Sequence, residues 1–229
     1  MFVFLTGLLL SGIIAVVAWR ARALTAGGAA AATIVGAVIY GFGGVAWAVL
    51  LVVFFLTSSI LTRAGGGQKP AADRTGRTAG QVLANGIVAA ALALGHTGST
   101  AVWIVAGFAG AVAAATADTW ATEIGLLSKT PPRLITTGRV CAPGQSGGIT
   151  SLGTRGAIAG AGVIAVLGNL LLGTSFLGVL IAGTAAMFVD SVVGATLEGR
   201  LRMVTNDTVN LLTTTIGAVL AAALAARLP

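Results

Sequence analysis

Long apolar runs, each about the length needed to cross a bilayer as a helix, fill most of the chain and alternate with short polar breaks. A helix spanning a hydrocarbon core of ~30 Å needs about 20 apolar residues. On that measure the pattern predicts spans at about 2–19, 26–41, 45–62, 79–95, 101–118, 156–172, 176–197 and 208–226. The run at 26–41 is rich in Gly and Ala, and without it the count is seven. The breaks are of two kinds. Arg20 and Arg22, the stretch from Arg63 to Arg77, that from Lys129 to Arg155, and that from Glu198 to Asp207 hold nearly every charge. Between them fall uncharged breaks at Gly41–Gly44, His96–Ser99 and Gly173–Ser175. The two kinds alternate strictly, and the positive-inside rule assigns the charged set to the cytoplasm, with both termini outside. Trp19 is expected at the inner interface, and Tyr40, Trp47 and Trp103 at the outer one, where amphipathic rings prefer headgroups. The predicted fold is an all-α, polytopic membrane bundle of seven or eight helices. It forms one domain over 1–229, with cytoplasmic loops at about 63–78, 128–154 and 198–207.

Composition closes off other classes. Of 229 residues, 56% are hydrophobic and 8% charged, whereas an ordinary soluble domain carries roughly a quarter charged residues. A soluble enzyme, a disordered tail and a collagen-like fibre are excluded. The net charge of +7 reads as positive-inside loops, and no nucleic-acid partner is expected. Cys141 and His96 are single representatives of their types, so an internal disulfide, a zinc cluster and a multi-histidine metal site are excluded as well. His96 is expected as a solvated outer-turn residue. The run from Phe2 to Trp19 lacks a basic lead and a small-residue cleavage site, and is read as the first span.

The candidate chemistry lies in the six acidic residues. Asp118 and Asp190 interrupt apolar runs, and charge inside a bilayer usually faces an interior cavity and marks function. Both sit in the pattern Ala-Ala-x-x-x-Asp-[Ser/Thr], a faint internal repeat. Asp118 lies about 15 residues past Trp103 and Asp190 about 14 past Phe176, ~21–22 Å in each case, so both reach one level near the cytoplasmic face. Ser58 and Ser59, Thr62 and Arg63, and Gln81 and Asn85 on one helical face are expected to converge there on one pocket. Glu123 follows Asp118 by five residues, about 140° around a helix, so the two share a site only if the helix ends or kinks near Trp120. Oxygen ligands without Cys or His suit a hard cation such as Mg²⁺: Asp118, Glu123 and Asp190, with Glu198 as a further candidate. Two basic, glycine-rich stretches, Arg63 to Arg77 through Lys69 and Gly144–Gly148 downstream of Lys129, Arg133 and Arg139, mix cations with open backbone amides.

Thr57–Arg63, Gln81–Gly86, Ala117-Asp-Thr-Trp-Ala-Thr-Glu-Ile-Gly125 and Asp190-Ser-Val-Val-Gly-Ala-Thr196, together with Pro132–Gly138 and Pro143–Gly153, resemble the membrane family filed as domain of unknown function 92. That family is also known by transmembrane protein 19 and includes the phytyl-phosphate kinase of tocopherol synthesis. Glu198 stands where relatives are expected to carry Gln. The resemblance implies Mg²⁺-dependent phosphoryl transfer from a nucleoside triphosphate, CTP in the plant enzyme, to an isoprenoid monophosphate. On this reading Asp118, Glu123 and Asp190 are catalytic through the metal, and Arg63, Lys69 and Arg77 hold phosphates, with Arg63 ranked first. Gln81, Asn85, Ser58 and Ser59 complete the phosphate site. The protein is expected in a bacterial or archaeal plasma membrane with its site facing the cytoplasm. The competing class is an ion-coupled transporter or lipid-handling protein, since intramembrane carboxylates also mark ion pathways.

Overall fold

The computed structural model of the protein describes residues 2–64, 76–99 and 101–228. Among them are eight helices long and apolar enough to span a membrane: α1 (Phe2–Arg20), α2 (Ala26–Gly43), α3 (Val45–Ala64), α4 (Ala79–His96), α5 (Val102–Gly125), α6 (Ser151–Leu172), α7 (Phe176–Thr196) and α8 (Asn206–Ala225). The Gly/Ala-rich run is a full helix, α2, so the described residues hold eight such helices and not seven. Two short strands, β1 (Arg133–Leu134) and β2 (Gly148–Ile149), pair antiparallel in the loop between α5 and α6.

Helix starts on the charged side share one device. α2, α4, α6 and α8 begin at Thr25, Thr78, Thr150 and Thr205, and each hydroxyl accepts from an amide of its helix's first turn. This cap satisfies a backbone donor that would otherwise be orphaned. On the opposite side the chain reverses tightly. Gly44, at φ +84°, separates α2 from α3, and Gly173, at φ +68°, ends α6.

α5 is the central post. Every residue from Ala106 to Ala117 is buried, and α3, α4, α6, α7 and α8 all pack on it. Its small side chains permit this, because helices in lipid associate by close van der Waals contact. Gly110 lies against the carbonyl of Gly217 on α8. A Cβ on Gly183 of α7 would stand 2.8 Å from the Cβ of Ala113 and 3.0 Å from its carbonyl carbon. Toward the uncharged side the core is large and apolar, with Ile39, Leu50, Phe108 and Ile164 fully buried. Trp47 belongs to this core. It is 3% exposed, with Phe108 at 4.1 Å and the ring of His96 at 5.0 Å. This corrects two expectations, since Trp47 is no interfacial anchor and His96 ends α4 packed on an indole. Trp19 and Trp103 are exposed.

Candidate functional site

α5 and α7 run in the same direction, because one helix lies between them in an up-and-down chain. They touch at Ala113 and Gly183, and each carries its aspartate one to two turns further on. The side chains of Asp118 and Asp190 meet there, within hydrogen-bonding reach of each other. Thr213 of α8 donates to Asp190 Oδ1 at 2.8 Å. Two carboxylates brought together by different helices, with a hydroxyl fixing one of them, are what the shared Ala-Ala-x-x-x-Asp pattern produces in three dimensions.

The pair lines a cavity of about 140 Å³. Ser191, Glu198 and Asn206 stand on its α7–α8 side, and Gln145 and Thr154 on the side of the α5–α6 loop. The loop Gly144–Gly147 covers it. Gly144 and Gly147 take φ of +78° and +77°, a region where only Gly sits without cost. Gly147 also rests on α7, where a Cβ would come within 2.6 Å of the Ser191 carbonyl oxygen. β1 and β2 hold this loop in place, with the Ile135 amide donating to the Gly147 carbonyl at 3.0 Å. The first turn of α6, capped by Thr150, opens onto the same cavity through Gly153 and Thr154. A helix N-terminus and a glycine-rich turn both present amides suited to anions.

Glu123 does not join this group. α5 runs unbroken through Trp120 to Gly125, so the expected kink is absent and the five-residue offset turns Glu123 to another face. It is buried at 4% exposure and accepts from Thr62 Oγ1 of α3 at 2.7 Å. Arg77 lies within electrostatic reach of both Glu123 and Asp118, and its guanidinium sits 5.3 Å from the Phe54 ring centre. Burial pushes this guanidinium below its ordinary value, while Glu123 and then Asp118 pull it back up.

Among the described residues, the remaining expected phosphate ligands do not line the carboxylate cavity. Arg63 is exposed and donates to the Ala21 carbonyl. Gln81 is spent on its own helix, accepting from the Thr78 amide at 2.9 Å in a capping box. Asn85 donates to the Gln81 carbonyl at 2.9 Å and borders an apolar cavity between α1 and α4. Ser58 and Ser59 are buried within α3. Lys69 lies outside the described residues. The polar groups near this level therefore divide around α5: Asp118, Asp190 and Glu198 face α6–α8, while Glu123, Thr62 and Arg77 face α3 and α4.

Thr213, Asn206, Ser191 and Thr154 were not anticipated. The run Thr213-Thr214-Thr215 within an apolar span was the available signal for the first of these.

Among the described residues no three His, Cys, Asp or Glu side chains converge as a metal cluster. Mg²⁺ does not require one, since it is held by one or two carboxylates and fills its shell with water and substrate phosphates. Asp118 and Asp190, with the oxygen donors of Glu198 and Asn206 in the same cavity, fit that requirement.

Fold and pocket together define a polytopic helical membrane protein with a carboxylate-lined polar cavity near one face of the bundle. The chain belongs to the DUF92 family of integral membrane proteins, whose profile matches residues 9–218. An uncharacterized membrane protein of Methanocaldococcus jannaschii is 35% identical over 215 residues, covering 91% of this chain and 88% of its own. Protein PGR of Arabidopsis thaliana is 30% identical over 224 residues, covering 83% and 77%. An uncharacterized membrane protein of Synechocystis is 29% identical over 212 residues, covering 87% and 82%. No solved structure matches the chain.

Proposed function

We propose that the protein is a kinase of isoprenoid monophosphates that uses a nucleoside triphosphate, CTP in the first instance, at the cytoplasmic leaflet. One observation carries this reading: Asp118 and Asp190 meet in a cavity covered by a glycine loop and the first turn of α6. Adjacent carboxylates repel, and the same cavity offers amides suited to phosphate oxygens. Asp118 and Asp190 are the residues that would hold Mg²⁺, which would neutralise charge on the donor phosphates.

The chain's own groups do the rest by positioning. Amides of α6 and of Gly144–Gly147 hold phosphate oxygens of the donor. Thr213 keeps the Asp190 carboxylate in one orientation. Arg77, within electrostatic reach of Asp118, supplies positive charge from the other side of α5. An oxygen of the lipid phosphate attacks the γ-phosphorus, the bond to the β–γ bridging oxygen breaks, and prenyl diphosphate and nucleoside diphosphate leave. The attacking oxygen is already anionic, so no protein base is needed, and catalysis reduces to alignment and charge neutralisation.

A transporter would require a polar path through the other half of the bundle. That half is filled by the apolar core around Ile39, Leu50 and Phe108, which argues against one. The test is incubation of purified protein with labelled CTP, Mg²⁺ and prenyl phosphates of graded length. Prenyl diphosphate is the expected product. Coupled ion flux in liposomes with no nucleotide requirement would replace the kinase with the transporter.

A further inference from the structure

Past Gly144 and Thr150 the carboxylate cavity adjoins a second one of about 260 Å³, and Thr122, Gly144 and Thr150 line both. Its other walls differ in chemistry from those of the first. Leu126, Pro131, Pro132 and Pro143 give apolar faces, Ser128 and Thr130 give hydroxyls, Lys129 gives an amine, and among the described residues no carboxylate lines it. These walls are built. Ser128 Oγ accepts from the Thr130 amide at 3.2 Å, and the Cys141 amide donates to the Pro132 carbonyl at 3.0 Å. Three prolines hold the backbone in few conformations, so little ordering cost is left for a ligand to meet.

Neither cavity alone reaches the roughly 300 Å³ at which pockets for drug-sized ligands begin, but the two joined exceed it. The molecule that fits the joined shape is anionic and cation-binding at one end, flat and heteroaromatic at the other. Resting on the reading that the protein uses a phosphoryl donor, we propose that the second cavity binds the nucleoside of that donor. Its phosphates pass between Gly144 and Thr150 into the pocket of Asp118 and Asp190. The base lies on the Pro131–Pro132 and Leu126 faces, the Ser128 and Thr130 hydroxyls meet its polar edge or the ribose, and Lys129 offsets phosphate charge at the rim.

The test is equilibrium binding of labelled CTP and ATP to the purified full chain in detergent with Mg²⁺, with inorganic tripolyphosphate as competitor. Tripolyphosphate has the anionic end alone. The wild type is expected to bind at least one nucleotide tenfold or more tighter than tripolyphosphate. Ser128→Leu and Thr130→Leu, made singly, fill the second cavity and remove a hydroxyl. They are expected to lower nucleotide affinity to the tripolyphosphate level while leaving tripolyphosphate binding unchanged. Thr130 is exposed, so this variant folds even if the one at Ser128 does not. Equal wild-type affinity for nucleotide and tripolyphosphate, no nucleotide binding at all, or variants that change both ligands alike or neither, would each overturn the assignment. If the predicted affinity split is found but no prenyl phosphate is phosphorylated, the nucleoside site stands and the kinase reading falls.

Discussion

Thr213 controls how Asp190 presents its oxygens, because its hydroxyl occupies one of them at 2.8 Å. Thr213→Val keeps the shape and removes the donor. We expect kcat/KM for phosphoryl transfer to fall about tenfold, ~1.4 kcal/mol of transition-state stabilisation, while Thr213→Ser restores it. Asp118→Asn and Asp190→Asn are each expected to abolish turnover while the protein stays folded in detergent, since the lost charge was a cost to insertion and not a support. Wild-type turnover in either variant removes that residue from the site. Among the arginines the ranking reverses the one the sequence suggested. Arg63 lies at the end of α3, but its guanidinium is exposed and tied to the Ala21 carbonyl, whereas Arg77 lies within electrostatic reach of Glu123 and Asp118. Arg77→Lys is therefore expected to lower kcat/KM about tenfold or more, because Lys lacks the planar fork, and Arg63→Lys to change it little. Steady-state kinetics on the pair decides it.

At the scale of elements, two contacts set the pocket. The approach of Gly183 to Ala113 brings α5 and α7 close enough for their aspartates to meet. Gly183→Val inserts atoms where a Cβ would already stand 2.8 Å from that of Ala113. The expected result is overpacking worth about 1–3 kcal/mol, seen as a lower Tm together with lost activity. Gly147→Ala acts on the covering loop alone. Its φ of +77° and the Ser191 carbonyl oxygen 2.6 Å from the added Cβ displace the loop from α7. Activity is expected to fall while Tm moves little, because the loop lies outside the helical core. A variant with normal turnover would show that the loop does not cover bound substrate. Much of the element level was legible in the sequence: six of the eight helices start within one residue of the predicted positions, and α8 starts two residues early, at Asn206. The exceptions have a common reason. α5 continues to Gly125 and α6 starts at Ser151, because polar residues extend a helix past the lipid boundary wherever neighbouring helices or capping groups satisfy them, and hydrophobicity alone marks only the lipid-facing part.

For the whole molecule, the proposed orientation rests on the alternation of charged and uncharged breaks. A cysteine placed at Gly98 is expected to react with an impermeant thiol reagent from outside intact cells, and Cys141 only after the membrane is opened. Reaction of both from one side would end the alternation argument and, with it, the cytoplasmic placement of the pocket. A Cβ added at Gly98 would meet no heavy atom within 4 Å beyond its chain neighbours, so the added thiol leaves the packing as it is.

Hydropathy and charge by themselves determined the class, a bundle of seven or eight spans and the common level of Asp118 and Asp190, because each depends only on spacing along one helix and on the cost of burying polar groups in lipid. The sequence also pointed to the Gly144–Gly148 loop as an anion nest, since glycine at a left-handed φ is a local requirement. Which polar residues share a cavity was decided only by tertiary packing. The rotation of an unbroken α5 sends Glu123 to α3 and Asp118 to α7, and capping draws Gln81 back to its own helix. The register of α8 brings Thr213, more than twenty residues along the chain, onto Asp190. A side chain's depth in the membrane is set by counting residues from the end of its helix, but the neighbour it meets is set by how the helices pack around α5.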